Sequence, residues 1–162
     1  MKTVLAAGLF PVLMLLQTLF APVAAQNSKP DLSPLELGNF SVSLAVKDLN
    51  KSKEFYEKLG FKVIAGAPAG KFLILQNETG TIGLFEGLFE KNILTFNPGW
   101  DRNSKTLKEF SDVRDIQKTL VERGLTLVTK ADEASTGPAS LLVIDPDGNP
   151  VLIDQHVAKP EK

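Results

Sequence analysis

From Gly38 onward the chain alternates with a period of two: Phe40, Val42, Leu44 and Val46 fall on one side, Ser41, Ser43 and Ala45 on the other. Successive side chains of a strand point to opposite faces, so this pattern predicts a half-buried strand. Asp48 or Asn50 can cap the helix that follows, in which Ser52, Phe55, Tyr56 and Leu59 share one face and Gly60 supplies the stop. Strands are then predicted at Phe61–Ala65, Phe72–Gln76 and Thr81–Phe85, with Gly66-Ala-Pro-Ala-Gly70 and Asn77-Glu-Thr-Gly80 turning the chain between them. The order is β-α-β-β-β.

That order repeats. Ile93–Asn97 reads as a strand; Val113, Ile116 and Leu120 mark a helix capped by Ser111 or Asp112 and ended at Gly124; Leu125–Thr129, Ser140–Ile144 and Val151–Gln155 read as strands. The helix exits echo one another, Leu59-Gly60-Phe61-Lys62-Val63 against Arg123-Gly124-Leu125-Thr126-Leu127. In both, glycine ends the helix and an alternating strand begins at once. The last hairpin turns on Asp145-Pro-Asp-Gly-Asn149, where proline presets φ and glycine accepts a positive one. One connection departs from the repeat. Ile93 follows Phe40 by 53 positions but Gly124 follows Gly60 by 64, so about eleven extra residues lie between strand and helix of the second unit, within 97–108. They include the chain's one tryptophan, Trp100, beside Asp101 and Arg102. A loop of that length in a small domain is functional or disordered.

The first 25 residues follow another rule. Lys2 is their one charge, residues 3–20 hold no ionisable group, and small residues, Val23 and Ala25, precede the polar Gln26. This predicts a secretory signal peptide over 1–25, with an uncleaved membrane anchor as the alternative. The expected destination is the periplasm or the extracellular space, with no membrane contact after cleavage. Residues 26–37 read as a flexible lead-in, 38–157 as one domain of two modules (38–87 and 91–157), and 158–162 as a tail.

Composition narrows the chemistry. Eighteen Lys+Arg oppose 19 Asp+Glu for a net charge of −1, which leaves no basic footprint for nucleic acid. The lack of cysteine excludes thiolate catalysis, iron–sulfur clusters and disulfides, and a single histidine excludes a multi-histidine metal cage.

The run holding Val46, Asp48, Ser52, Phe55 and Tyr56 and the turn within LLVIDPDGNPVLID, set in a duplicated β-α-β-β-β order, resemble the vicinal oxygen chelate superfamily. That group holds glyoxalases, extradiol dioxygenases, fosfomycin-resistance enzymes and bleomycin-binding proteins. The resemblance spans about residues 38–157. It implies an α+β fold in which two βαβββ modules form a curved mixed sheet around a cleft, and it implies a homodimer. It names no reaction, because both stretches serve packing and turning. Metalloenzymes of the superfamily set His, Gln or Glu at cleft-facing positions on four strands around a divalent ion. The resemblance carries those positions to Ser41, Gly83, Ile93 and Leu152. None is a charged or imidazole ligand, and a divalent ion needs several of these to offset its dehydration. Neither a metal nor another cofactor is expected.

The same alternation lines the cleft with Ser41, Ser43, Gly83, Phe85, Ile93, Thr95, Asn97 and Leu152, to which the long loop can add Trp100. An apolar, hydroxyl-bearing wall with few charges suits an uncharged or weakly polar organic ligand; a shallow, solvated sheet face fits the letters equally well. Trp100 can stack on a ligand or a partner subunit, or pack down to anchor its loop. His156 and Asp154, two apart on a strand, share a face and are the candidate catalytic base and its orienter. No G-x-S-x-G elbow accompanies them. The expectation is an exported, metal-independent module that binds a small organic molecule. The alternatives are a glyoxalase- or dioxygenase-like enzyme, and an interaction protein docking through the Trp100 loop.

Overall fold

A computed structural model describes residues 31–161; the signal peptide expected over 1–25 and the first part of the lead-in lie outside the described residues. The first module comprises β1 (Asn39–Val46), α1 (Leu49–Lys58), β2 (Lys62–Ala67), β3 (Phe72–Gln76) and β4 (Thr81–Glu86). The second comprises β5 (Ile93–Asn97), α2 (Val113–Glu122), β6 (Leu127–Thr129), β7 (Ala139–Ile144) and β8 (Pro150–Gln155). All of these strands join one curved sheet in the order β2-β3-β4-β1-β5-β8-β7-β6. Within the modules β1 runs parallel to β4 and β5 parallel to β8; between them β1 pairs antiparallel with β5. The fold is the α+β arrangement that the resemblance implied.

Aspartates start both helices: Asp48 Oδ1 accepts the Lys51 N–H at 3.0 Å and Asp112 Oδ1 accepts the Arg114 N–H at 2.9 Å. Both helices pack on the same face of the sheet, each closing its own core. Leu49 of α1 joins Leu73, Leu75 and Leu84, with Leu44, Val46, Tyr56 and Phe61 around them. Val113, Ile116 and Leu120 of α2 join Leu141, Val143 and Ile153. Leu35 and Leu37, from the lead-in, rest against this second core, and Arg123 donates to the Ser33 carbonyl at 2.6 Å.

Local structure departs from the spacing in three places. Strand β2 runs on through Gly66 and Ala67, because a register shift between Val63 and Ala65 keeps it paired with β3, and the turn shrinks to one 3-10 turn at Pro68–Gly70. A similar shift limits β6 to Leu127–Thr129. On α1, Phe55 and Leu59 are each 58% exposed. The buried stripe of that helix runs through Leu49, Ser52 and Tyr56, and the two larger residues sit on its flank.

A buried polar cluster anchors α2. Asp112 and Arg114, each 1% exposed, form an ion pair at 3.1 Å. Gln155 on β8 accepts the Val113 N–H and donates to Asp112 Oδ2 and the Val157 carbonyl. Arg114 also donates to the carbonyls of Asp132 and Gly137 and to the Ser135 hydroxyl, so it fastens the loop before β7. Burial pushes the Asp112 carboxyl up, but the hydrogen bonds from Arg114 and Gln155 outweigh it and hold the group below its usual 3.8. A carboxyl lowered on folding stabilises above that value, and the contribution is lost as pH falls through the folded one. Arg114→Met should strand the buried carboxylate and cost about 3–5 kcal/mol near neutral pH. Denaturant unfolding should show a lower midpoint at an unchanged slope, with the difference from wild type shrinking in acid as Asp112 gains a proton.

Candidate functional site

The four central strands, β4, β1, β5 and β8, build the site, and their register fixes its contents. Ser43 pairs with Gly83 on β4 and with Ile93 on β5; Ser41 pairs with Thr95, which pairs in turn with Leu152 on β8. Phe85, Asn97 and Asp154 follow at the next steps of the same alternation. All of these face away from the helices, on the opposite face of the curved sheet, where the sequence placed the groove.

The middle of the groove satisfies itself. Ser43 and Thr95, both buried, share a hydrogen bond at 3.0 Å between their hydroxyls. Asn97, also buried, donates its amide to the Asp154 carbonyl at 3.0 Å and ties β5 to β8. Toward β3, aromatic rings take over. Phe85 stacks on Phe72 with centroids 5.9 Å apart and planes 13° apart, and it meets Phe89 at 5.1 Å. The Phe85 ring lies over Gly83, where any Cβ would collide with it and crowd Ile74. Gly83 is thus the residue that lets Phe85 cover the strand.

The inserted loop closes one end of the groove. Residues 98–112 connect β5 to α2, whereas Lys47 and Asp48 alone connect β1 to α1. The loop is ordered by its own bonds: the Asp101 carboxylate accepts the Asn103 and Lys105 N–H groups, and Leu107 N–H donates to the Gly99 carbonyl. Its tip is stapled to the first module. Arg102 donates to the Asn77 carbonyl at 2.6 Å, and the Gln76 amide donates to the Arg102 carbonyl at 2.6 Å. At its base Trp100 stacks on His156, 4.5 Å between centroids and 15° between planes. His156 Nε2 lies 3.2 Å from Asp154 Oδ2. That hydrogen bond raises the imidazole above its usual 6.5; partial burial opposes the shift and the charge of Asp154 reinforces it.

Asp154, His156 and Trp100 therefore meet at the groove end. The spacing put the first two on one face, but nothing in it joined them to Trp100. The aromatic wall of Phe72 and Phe89 was not singled out either, although Phe72 has the groove-facing parity of its strand. The structural glutamine was missed as well; its signal was a polar residue at the core parity of Val151 and Ile153.

A divalent ion does not fit these residues. Ser41, Gly83, Ile93 and Leu152 lie on one face, with Ile93 opposite Ser43 and Thr95 opposite Ser41, yet they offer a single hydroxyl between them. Phe85 covers the place above Gly83, and Asp154 and His156 bind one another. Among the described residues no three of His, Cys, Asp and Glu gather as ligands.

Comparison with known proteins places this geometry. The family model of the Glyoxalase/Bleomycin resistance protein/Dioxygenase superfamily matches residues 40–153. Among solved structures, the chain is similar to a member of that superfamily from Vibrio splendidus 12B01, at 18% identity over 72% of this chain and 97% of that one, with a TM-score of 0.52. It is similar to an NAD-dependent benzaldehyde dehydrogenase structure from Legionella pneumophila, at 22% identity over 72% and 98%, with a TM-score of 0.54. It is also similar to an extradiol ring-cleaving dioxygenase from B.fuscum, at 22% identity and a TM-score of 0.50, over 83% of this chain but 37% of the dioxygenase. At these identities the likeness is one of fold. No curated protein matches the chain. The family match runs from the first strand to the last, and the chain belongs to the Glyoxalase/Bleomycin resistance protein/Dioxygenase superfamily.

Proposed function

We propose that this protein is an exported, dimeric binding module that holds a small, uncharged, partly aromatic molecule in its concave groove without a metal. The observation that carries the reading is the Phe85 ring over Gly83, which puts an apolar surface where a cation would need a donor. Phe72, Phe85 and Phe89 form an aromatic cluster, the first two rings near parallel and Phe89 tilted by 46° against Phe85, and an aromatic pair of this kind adds about 0.5–1.5 kcal/mol beyond its buried area. Ile93 and Leu152 extend the apolar surface, while Ser41 supplies a hydroxyl to orient a polar atom. Trp100 and His156 close the end. Export rests on the apolar run of residues 3–20 and the small residues before Gln26.

The Asp154–His156 contact supports a second reading, a metal-free catalyst. With Asp154 accepting the hydrogen bond of Nε2–H, the neutral ring leaves its Nδ1 lone pair as a base. Binding needs no such step, and a nucleophile placed beside Nδ1 is not among the contacts of this pair.

Two experiments test the groove. N-phenyl-1-naphthylamine, a neutral aromatic probe, should bind saturably, and Leu152→Trp, which fills the groove, should weaken it on the order of tenfold or more, about 1.4 kcal/mol. Binding that does not saturate, or that ignores Leu152→Trp, contradicts the reading. The emission of Trp100 should report the ionisation of His156, since a protonated imidazole stacked on an indole quenches it. The midpoint should lie above 6.5, and Asp154→Asn should lower it. Because the folded ring holds its proton more tightly, its stabilising effect is complete below 6.5 and lost as pH rises through the folded value. A midpoint at or below 6.5 would show that Asp154 does not hold the ring.

A further inference from the structure

The geometry points to a second ligand site, built by the inserted loop on the helix-bearing side of the sheet, for a flat apolar molecule carrying one carboxylate or sulfonate group. Between the loop and the starts of β1 and β4 lies a cavity of about 660 Å³, within the ~300–1,000 Å³ of small-molecule sites. Its floor is Phe40, Val42 and Ile82, with Leu107 and Trp100 as the loop wall. These floor residues belong to the face opposite the groove: Ile82 packs on the first core, and the Phe40 ring meets Phe96, which rests on the second. Phe40 lies where neither helix covers the sheet and remains 47% exposed. A ligand ring laid on it would remove that surface from water.

The rim selects an anion. Arg102 lines the cavity, and one Nη2 hydrogen bond to the Asn77 carbonyl holds its side chain in place. Among the described residues no carboxylate forms an ion pair with it. Asp101 also lines the cavity, and its Oδ1 is turned to the Asn103 and Lys105 N–H groups inside the loop. Thr79 and Thr81 add hydroxyls on the far side. The remaining donors of a fixed, planar guanidinium match two oxygens of a carboxylate or sulfonate, and its stem lies beside apolar walls that take the ring. Trp100, Arg102 and Leu107 all come from the inserted loop, so the site depends on the insertion.

The probe for this site is 8-anilinonaphthalene-1-sulfonate, added to the full chain. It should bind saturably at one per chain and take up excitation energy from Trp100. 2-Naphthoate should displace it at least tenfold more effectively than the neutral isostere 2-naphthamide. Arg102→Gln should weaken the probe about tenfold, and Phe40→Ala, which leaves the loop staple intact, should do the same. Phe40→Ala, which touches neither the groove nor the loop staple, should not move the affinity for N-phenyl-1-naphthylamine, so a failure of this site is distinguishable from a failure of the groove. Probe binding that survives both substitutions, equal displacement by the two naphthalenes, or no saturable binding overturns the assignment.

Discussion

The antiparallel seam between β1 and β5 is the constraint on which the rest of the molecule depends. It joins the two modules, and each pair across it, Ser41 with Thr95 and Ser43 with Ile93, assigns one face of the sheet to the groove and the other to the helices. A slip of one residue would turn Val42 and Leu44 into the groove and drive Ser41 and Ser43 against α1. The cores forbid it, because Leu44 and Val46 are packed under α1 and Phe96 rests on the core of α2. The same alternation that buries two apolar clusters therefore delivers serine, threonine, glycine and leucine to the concave face.

A groove built from such residues has its own economy of polar groups. Paired carboxylates waiting for a cation would be buried charges, costly until the ion arrived. Here the buried hydroxyls of Ser43 and Thr95 bond each other, the Asn97 amide is taken up by a backbone carbonyl, and Gly83 makes room for a ring. The buried ion pair lies on the far face, where Asp112, Arg114 and Gln155 are saturated by one another and by backbone groups. The inserted loop adds a third structural idea: it ties the two modules together at one end, through Arg102 and Gln76, and brings its tryptophan to the end of the groove.

Much of the architecture was legible in the letters because it is local. Period-two alternation marked the strands, and aspartates and glycines bounded the helices. The Asp145-Pro-Asp-Gly-Asn149 turn announced itself; in it the Asp145 carboxylate accepts the N–H groups of Asp147 and Asn149. What escaped depends on residues far apart in the chain. The stacking of Trp100 on His156 and the clasp of Gln155 on Asp112 leave no periodic trace. The exposure of Phe55 and Leu59 depends on how α1 sits on its sheet, which spacing alone does not specify. Gly83 did carry a signal, since an isolated glycine inside a strand marks a close approach, but only the fold shows that the Phe85 ring is what approaches.

The central claim, a groove whose side chains do not hold a cation, is tested most directly with a paramagnetic ion. Manganese(II) should be titrated into the isotopically labelled protein while amide resonances are followed along β1, β4, β5 and β8. The account predicts no selective broadening at Ser41, Ser43, Gly83, Thr95 or Leu152 up to one equivalent of metal. Loss of those signals together, ahead of the exposed acidic surface, would place an ion among the four strands and contradict it.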